Sequence, residues 1–213
     1  MKTPTEETYS ALQRAYEFFN HELHAGELPD CLITLQRRKR SCGYFSPRKF
    51  IHVSQGALTD EIAMNPAYFL EHGTIEVLQI LVHEMAHLWQ EHFGKPSRGG
   101  YHNKQWAEKM ESVGLMPSST GQEGGKKTGQ NMSDYPIPGG PFLTACEKLL
   151  ATGFSITWGD IPDEDSDAST SNNGSNRYKY TCPGCDSNIW GKPGLNVVCG
   201  DCMLPFVCSE LEI

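Results

Sequence analysis

TIEVLQILVHEMAHLWQEHF, residues 74–93, sets the frame for the whole chain. Val77, Leu78, Ile80, Leu81, Val82, Met85, Ala86, Leu88 and Trp89 make it apolar nearly all round, and Gly94 and Pro96 close it. That composition predicts a helix buried in the middle of its domain. Polar groups interrupt it at His83-Glu84-Met85-Ala86-His87. Histidines four residues apart on a helix project from one face and can share one ion. Glu84, beside His83, is then placed to take a proton from a water on that ion, whose pKa zinc lowers to roughly 7. With 8 His in 213 residues, chance supplies roughly 0.02 such patterns. A lone carboxylate in an apolar helix is also costly, and a cation compensates it. The pattern therefore predicts a catalytic Zn2+ held by His83 and His87, with Glu84 as general base for peptide-bond hydrolysis.

An open tetrahedral site needs a third protein ligand. His92 comes too early on the same helix, and six residues on from His87, where metzincin-like peptidases carry a further histidine, the chain has Phe93, which binds no metal. His102 follows the turn 94–100, and Gly99-Gly100 permit the chain to fold back onto the helix. Glu108 and Glu111 are the alternatives. His102 is favoured.

Outward from this core, Tyr9, Leu12, Tyr16, Phe19 and Leu23 predict a helix over 5–24. Leu32 to Gln36 reads as a strand, and Gly43–Ser46 and Phe50–Ser54 as two more around Pro47. Helices are predicted over 104–113 and 142–151. Residues 118–140, rich in Gly, Ser and Thr, read as a long loop, functional or disordered. Its Gly124-Gly125-Lys126-Lys127-Thr128-Gly129 lacks the phosphate-loop spacing and reads as a loop near the cleft. Tyr44 and Tyr101 are candidates to stabilise an oxyanion; His52 reads as structural.

The metal helix, Gly100-Tyr101-His102, Trp106, Met110 and Gly114-Leu115 together resemble the SprT-like metallopeptidases, which include the bacterial SprT and eukaryotic Spartan proteins. The likeness covers most of residues 5–116. It implies an α+β, zincin-like domain (a helix, a small antiparallel sheet, then the metal helix) in which His83, His87 and His102 bind zinc and Glu84 is catalytic. It also implies protein substrates, including proteins associated with DNA.

Residues 163–175 turn acidic and then Ser/Asn/Gly-rich, so 159–176 reads as a linker between a domain at 1–158 and a module at 177–213. In that module Cys182-Pro183-Gly184-Cys185 and Cys199-Gly200-Asp201-Cys202 match a structural zinc site of four thiolates, with the intervening residues as the hairpin of a zinc ribbon. Cys208 is a substitute ligand; Cys31, Cys42 and Cys146 read as small buried residues. Tyr180 and Trp190 are candidates to stack on single-stranded nucleic acid.

Net charge is −8, carried mostly beyond residue 158. Such a balance argues against a general nucleic-acid binder. The exception is Arg37, Arg38, Lys39, Arg40, Arg48 and Lys49, read as a solvated strand edge or a guide for an anionic partner. No signal peptide or membrane span is read, so a cytoplasmic location is expected. The rival to an enzyme is a zinc-stabilised adaptor for nucleic acid or protein, with an inactive peptidase-like site. Elemental analysis of the purified chain is expected to find two zinc ions, and one in the double variant His83→Ala, His87→Ala.

Overall fold

The computed structural model describes residues 2–39, 41–161, 178–192 and 194–209. The linker residues 162–176, and with them Arg40, Arg177 and Pro193, lie outside the described residues. The chain divides into two compact units, residues 1–161 and 162–213.

The first unit opens with α1 (Pro4–His24), started by a capping box in which Thr3 and Glu6 satisfy each other's backbone N–H. Its buried stripe, Leu12, Ala15, Tyr16 and Phe19, faces the core. β1 (Leu32–Leu35), β2 (Gly43–Ile51) and β3 (Leu58–Met64) make one sheet in the order β1-β3-β2. β1 pairs with β3 in parallel and β2 with β3 antiparallel, so the sheet is mixed, not antiparallel as the family likeness implied. Its central strand, β3, escaped the sequence reading. The stretch Asp60-Glu61 interrupts its apolar run, yet both carboxylates are buried with partners: Asp60 accepts from Arg48 N at 2.7 Å and Glu61 from Thr34 Oγ1 at 2.6 Å. β2 is one strand where two were expected. Pro47 and Arg48 (φ 50°) form an irregularity between Ser46 and Phe50, and Asp60 holds it by the Arg48 N–H.

A single turn of helix, α2 (Tyr68–Glu71), leads into α3 (Thr74–Phe93), which lies on the sheet. Glu76 accepts from the Gly73 N–H at 2.7 Å and so caps the start of α3. Val77, Leu78, Leu81, Val82, Met85, Ala86 and Leu88 are all buried, each apolar side chain contributing about 1.5–3 kcal/mol. α4 (Lys104–Val113) ends at Gly114, whose φ of 93° and close approach to the Phe142 N demand glycine. The expected long loop contains a hairpin of β4 (Leu115–Ser118) and β5 (Ser133–Pro136). α5 (Pro141–Ala151) then returns to α1, with Phe19 and Phe142 stacked at 5.9 Å. Beyond it Asp160 is anchored to this unit by Arg37 and by the Pro66 carbonyl.

The second unit is a sheet of β6 (Tyr178–Thr181), β7 (Asn188–Gly191) and β8 (Val207–Ser209), in the order β7-β6-β8. Among the described residues no helix is long and apolar enough to cross a membrane.

His24, near the end of α1, is 4 % exposed and neither ring nitrogen has a partner. Burial, with Lys109 adding to it, pushes its pKa down to about 3. A folded pKa below the unfolded 6.5 gives stability that is complete above pH 6.5 and lost as pH falls toward 3, because only the unfolded chain takes up the proton. His24→Leu removes this dependence. Denaturant melts at pH 8 and pH 5 should show the wild type losing about 2 kcal/mol more than the variant over that interval.

Candidate metal and active site

α3 and α4 bring three imidazoles together. His83 and His87 project from one face of α3, and His102 comes from the residue before the α4 N-cap, Asn103. One ligand nitrogen from each lies within 4.8 Å of the others, and His87 Nε2 stands 3.1 Å from His102 Nε2. Asn103 fixes the crossing: its Oδ1 accepts from Trp106 N and Gln90 Nε2, and its Nδ2 donates to Lys95 O and Ser97 Oγ. The fully buried Trp106 ring forms the floor, stacked on His87 at 5.3 Å and edge-on to His102 at 4.3 Å.

The outer nitrogens are engaged. His83 Nδ1 is 2.8 Å from the Asp134 carboxylate, and His102 Nδ1 is 3.3 Å from the Gly129 carbonyl. Acceptors at both Nδ1 positions make these nitrogens the donors, so each Nε2 keeps its lone pair. Burial lowers the pKa of His102 to about 4 and that of His87 further below its ordinary value, with the neighbouring histidines adding to both. His83 runs the other way: burial pulls it down, but the Asp134 hydrogen bond and the charges of Glu84 and Asp134 raise it overall. The Nε2 atoms of His83 and His102 and a nitrogen of His87, all within 4.8 Å, make a donor set that fits a divalent cation of the zinc type.

Glu84 is buried on the same wall. Burial raises its pKa to about 7, opposed by His83 and by the backbone hydrogen bond from Phe45. Gly43 of β2 makes room: a Cβ there would meet Ile80 Cγ2 at 2.8 Å, Ala63 O at 3.1 Å and Glu84 Oε1 at 3.3 Å. The histidines and Glu84 line a cleft of about 660 Å³, together with residues 41–45, 47, 96–101 and 130–134.

The sequence model of the SprT-like family matches residues 12–126, more than half of the chain and all of this cluster. The chain belongs to the SprT-like family. It is also similar to a Salmonella typhimurium protein described as an uncharacterized protein in the mucB 3' region. The two are 58% identical over 59 residues, which are 28% of this chain and 80% of that protein. No solved structure matches the chain.

Other candidates fall as follows. Glu108 pairs with Lys104 and Glu111 with Lys127, both away from the cluster. His92 Nε2 meets Asp60 at 2.6 Å, and His52 is exposed beside Ser54. Tyr44 and Tyr101 both line the cleft, with Arg38 and Arg98 over their rings. The segment 124–129 is not part of the cleft wall, whereas 130–134 is. Asp134, the partner of His83, was missed in the sequence. Its only signal is to be one of two acids, with Glu123, in a Gly/Ser/Thr-rich stretch, and it lies beyond the matched family residues.

In the second unit Cys182, Cys185, Cys199 and Cys202 place their sulfurs within 4.8 Å of one another, an arrangement that could hold a metal ion and is consistent with a zinc ribbon. Each C-x-x-C sits in a tight turn, between β6 and β7 for the first and inside the Val198–Pro205 bridge for the second. The turns match: Asp186 N reaches Cys182 O, Met203 N reaches Cys199 O, and both Asp186 and Met203 have φ near 55°. Among the described residues between the knuckles, β7 pairs with β6 and Val198 bridges to Pro205, so their partners lie outside the segment and not in the hairpin of its own that was expected. Cys208 sits outside the group, and Cys31 and Cys42 are half-buried rather than buried. Tyr180 is buried, its hydroxyl donating to Lys192 O, so it offers no face to a base; Trp190 is exposed.

Gly43→Ala is expected to cost about 1–3 kcal/mol, since the Ala63 carbonyl cannot yield as a side chain can. Thermal unfolding checks it; an unchanged midpoint would show that β2 and α3 are not so closely apposed.

Proposed function

We propose that the protein is a zinc-dependent peptidase whose site is built from His83, His87, His102 and Glu84, with a structural zinc held by the four cysteines. The observation carrying this is a buried carboxyl lining the same cleft as three clustered imidazoles. A zinc ion there would supply Lewis-acid charge, which polarises a peptide carbonyl and acidifies water. Glu84 does the proton work. Positive charge nearby favours its carboxylate form, and a pKa that burial has lifted to about 7 suits a group that accepts a proton from water and returns it to the leaving amine. The Phe45 N–H hydrogen-bonds that carboxylate. Tyr101 and Tyr44, which both line the cleft, are the candidates to donate to charge developing on the carbonyl oxygen. Membership of the SprT-like family supports protein substrates, DNA-associated proteins among them.

Glu84→Gln tests this. The variant should retain two zinc ions and its fold while cleavage of an unfolded protein substrate, assayed with and without DNA, falls at least 100-fold. A wild type that cleaves nothing under either condition would instead favour the adaptor reading.

A further inference from the structure

We propose that Asp134, held by Gln79, is a positioning residue for His83, and that the β4–β5 hairpin acts as the outer support of the metal centre; the inference rests on the metal-binding part of the reading above. Gln79 stands one turn before His83 on α3. Its Nε2 donates to both Asp134 O (2.9 Å) and Asp134 Oδ1 (2.8 Å), and the other carboxylate oxygen takes His83 Nδ1 at 2.8 Å. The carboxylate is thus clamped between two residues of the helix it serves, and it is itself buried.

The same connection reaches a second imidazole. Gly129 exchanges both backbone hydrogen bonds with His102, at 2.8 and 3.1 Å, and its carbonyl faces His102 Nδ1. One excursion of chain therefore directs the Nδ1 proton of two of the three histidines, while His87 is held by stacking on Trp106. An imidazole free to rotate or to exchange tautomers presents a lone pair only part of the time. A fixed Nδ1–H keeps Nε2 aimed and raises its basicity. Gln79 adds what a lone aspartate would lack, a fixed orientation of the carboxylate plane.

The full-length chain is titrated with a chelator in the presence of Zn2+, with elemental analysis of what remains bound. The double variant His83→Ala, His87→Ala identifies which release step belongs to the histidines. Asp134→Ala should weaken the histidine site 10- to 100-fold and leave the cysteine site unchanged. Asp134→Asn, which keeps an acceptor oxygen but no charge, should fall between, and Gln79→Ala should lose a few-fold. Should Asp134→Ala fail to fold by circular dichroism, Asp134→Asn carries the comparison. Long-range proton–nitrogen spectra of the metal-free chain, at a pH where His83 is neutral, give the signature that a merely structural role would not move: a single Nδ1–H tautomer at His83 in the wild type, and tautomer mixing in the variants. Equal zinc affinity and an unchanged His83 tautomer in both Asp134 variants would overturn the proposal. Weakened zinc binding supports it whether or not the wild type cleaves protein, so failure of the peptidase reading is told apart from failure of this one.

Discussion

Three imidazole nitrogens converge inside 4.8 Å. Burial disfavours charge on His87 and His102, which would be stripped of water and pressed against their neighbours, while Asp134 and Glu84 favour it on His83. Everything around them serves to hold this unfavourable arrangement. α3 is buried along most of its length, so the spacing of His83 and His87 is set by rigid helix geometry rather than by loop conformation. His102 is not on that helix, and its placement depends on Asn103, which ties the turn after α3 to the start of α4 with four hydrogen bonds. Trp106 then closes the floor and keeps water from approaching from below.

Much of this was legible because it follows from short-range rules. The buried helix, its two histidines and their glutamate are a pattern within one helical turn, and the ends of α4 coincide with Asn103 and Gly114, a cap and a stop that act locally. The cysteine pairs were likewise readable from spacing. What failed to show was non-local. β3 carries Asp60 and Glu61 in its buried half, and nothing in the sequence says that Arg48, His92 and Thr34 will arrive to satisfy them. Asp134 is separated from His83 by 51 residues and sits in a stretch without periodicity. A composition that reads as loop can still be organised by hydrogen bonds to a distant helix.

The two candidate metal clusters differ in what they ask of a cation. The first unit has its own core, from Leu12 through Leu149, and its histidines sit at the edge of a structure already packed. A cation there would complete a donor set, and the surrounding fold has other reasons to persist. Among the described residues of the second unit, only Tyr180, Cys182 and Cys199 are buried, while Trp190, Val198, Met203, Leu204 and Val207 are exposed. Two of those three buried side chains are themselves thiols of the cluster. The buried side chains described there offset little of the entropy of ordering the chain, and a metal ion at the four sulfurs would supply energy that holds the two knuckles together. The matched turns at Asp186 and Met203, each with a non-glycine residue in a left-handed conformation, are strain the backbone accepts in order to aim four sulfurs at one point. In one chain, then, the same class of ion would complete a site that the fold has already built in one unit and help to hold the fold together in the other.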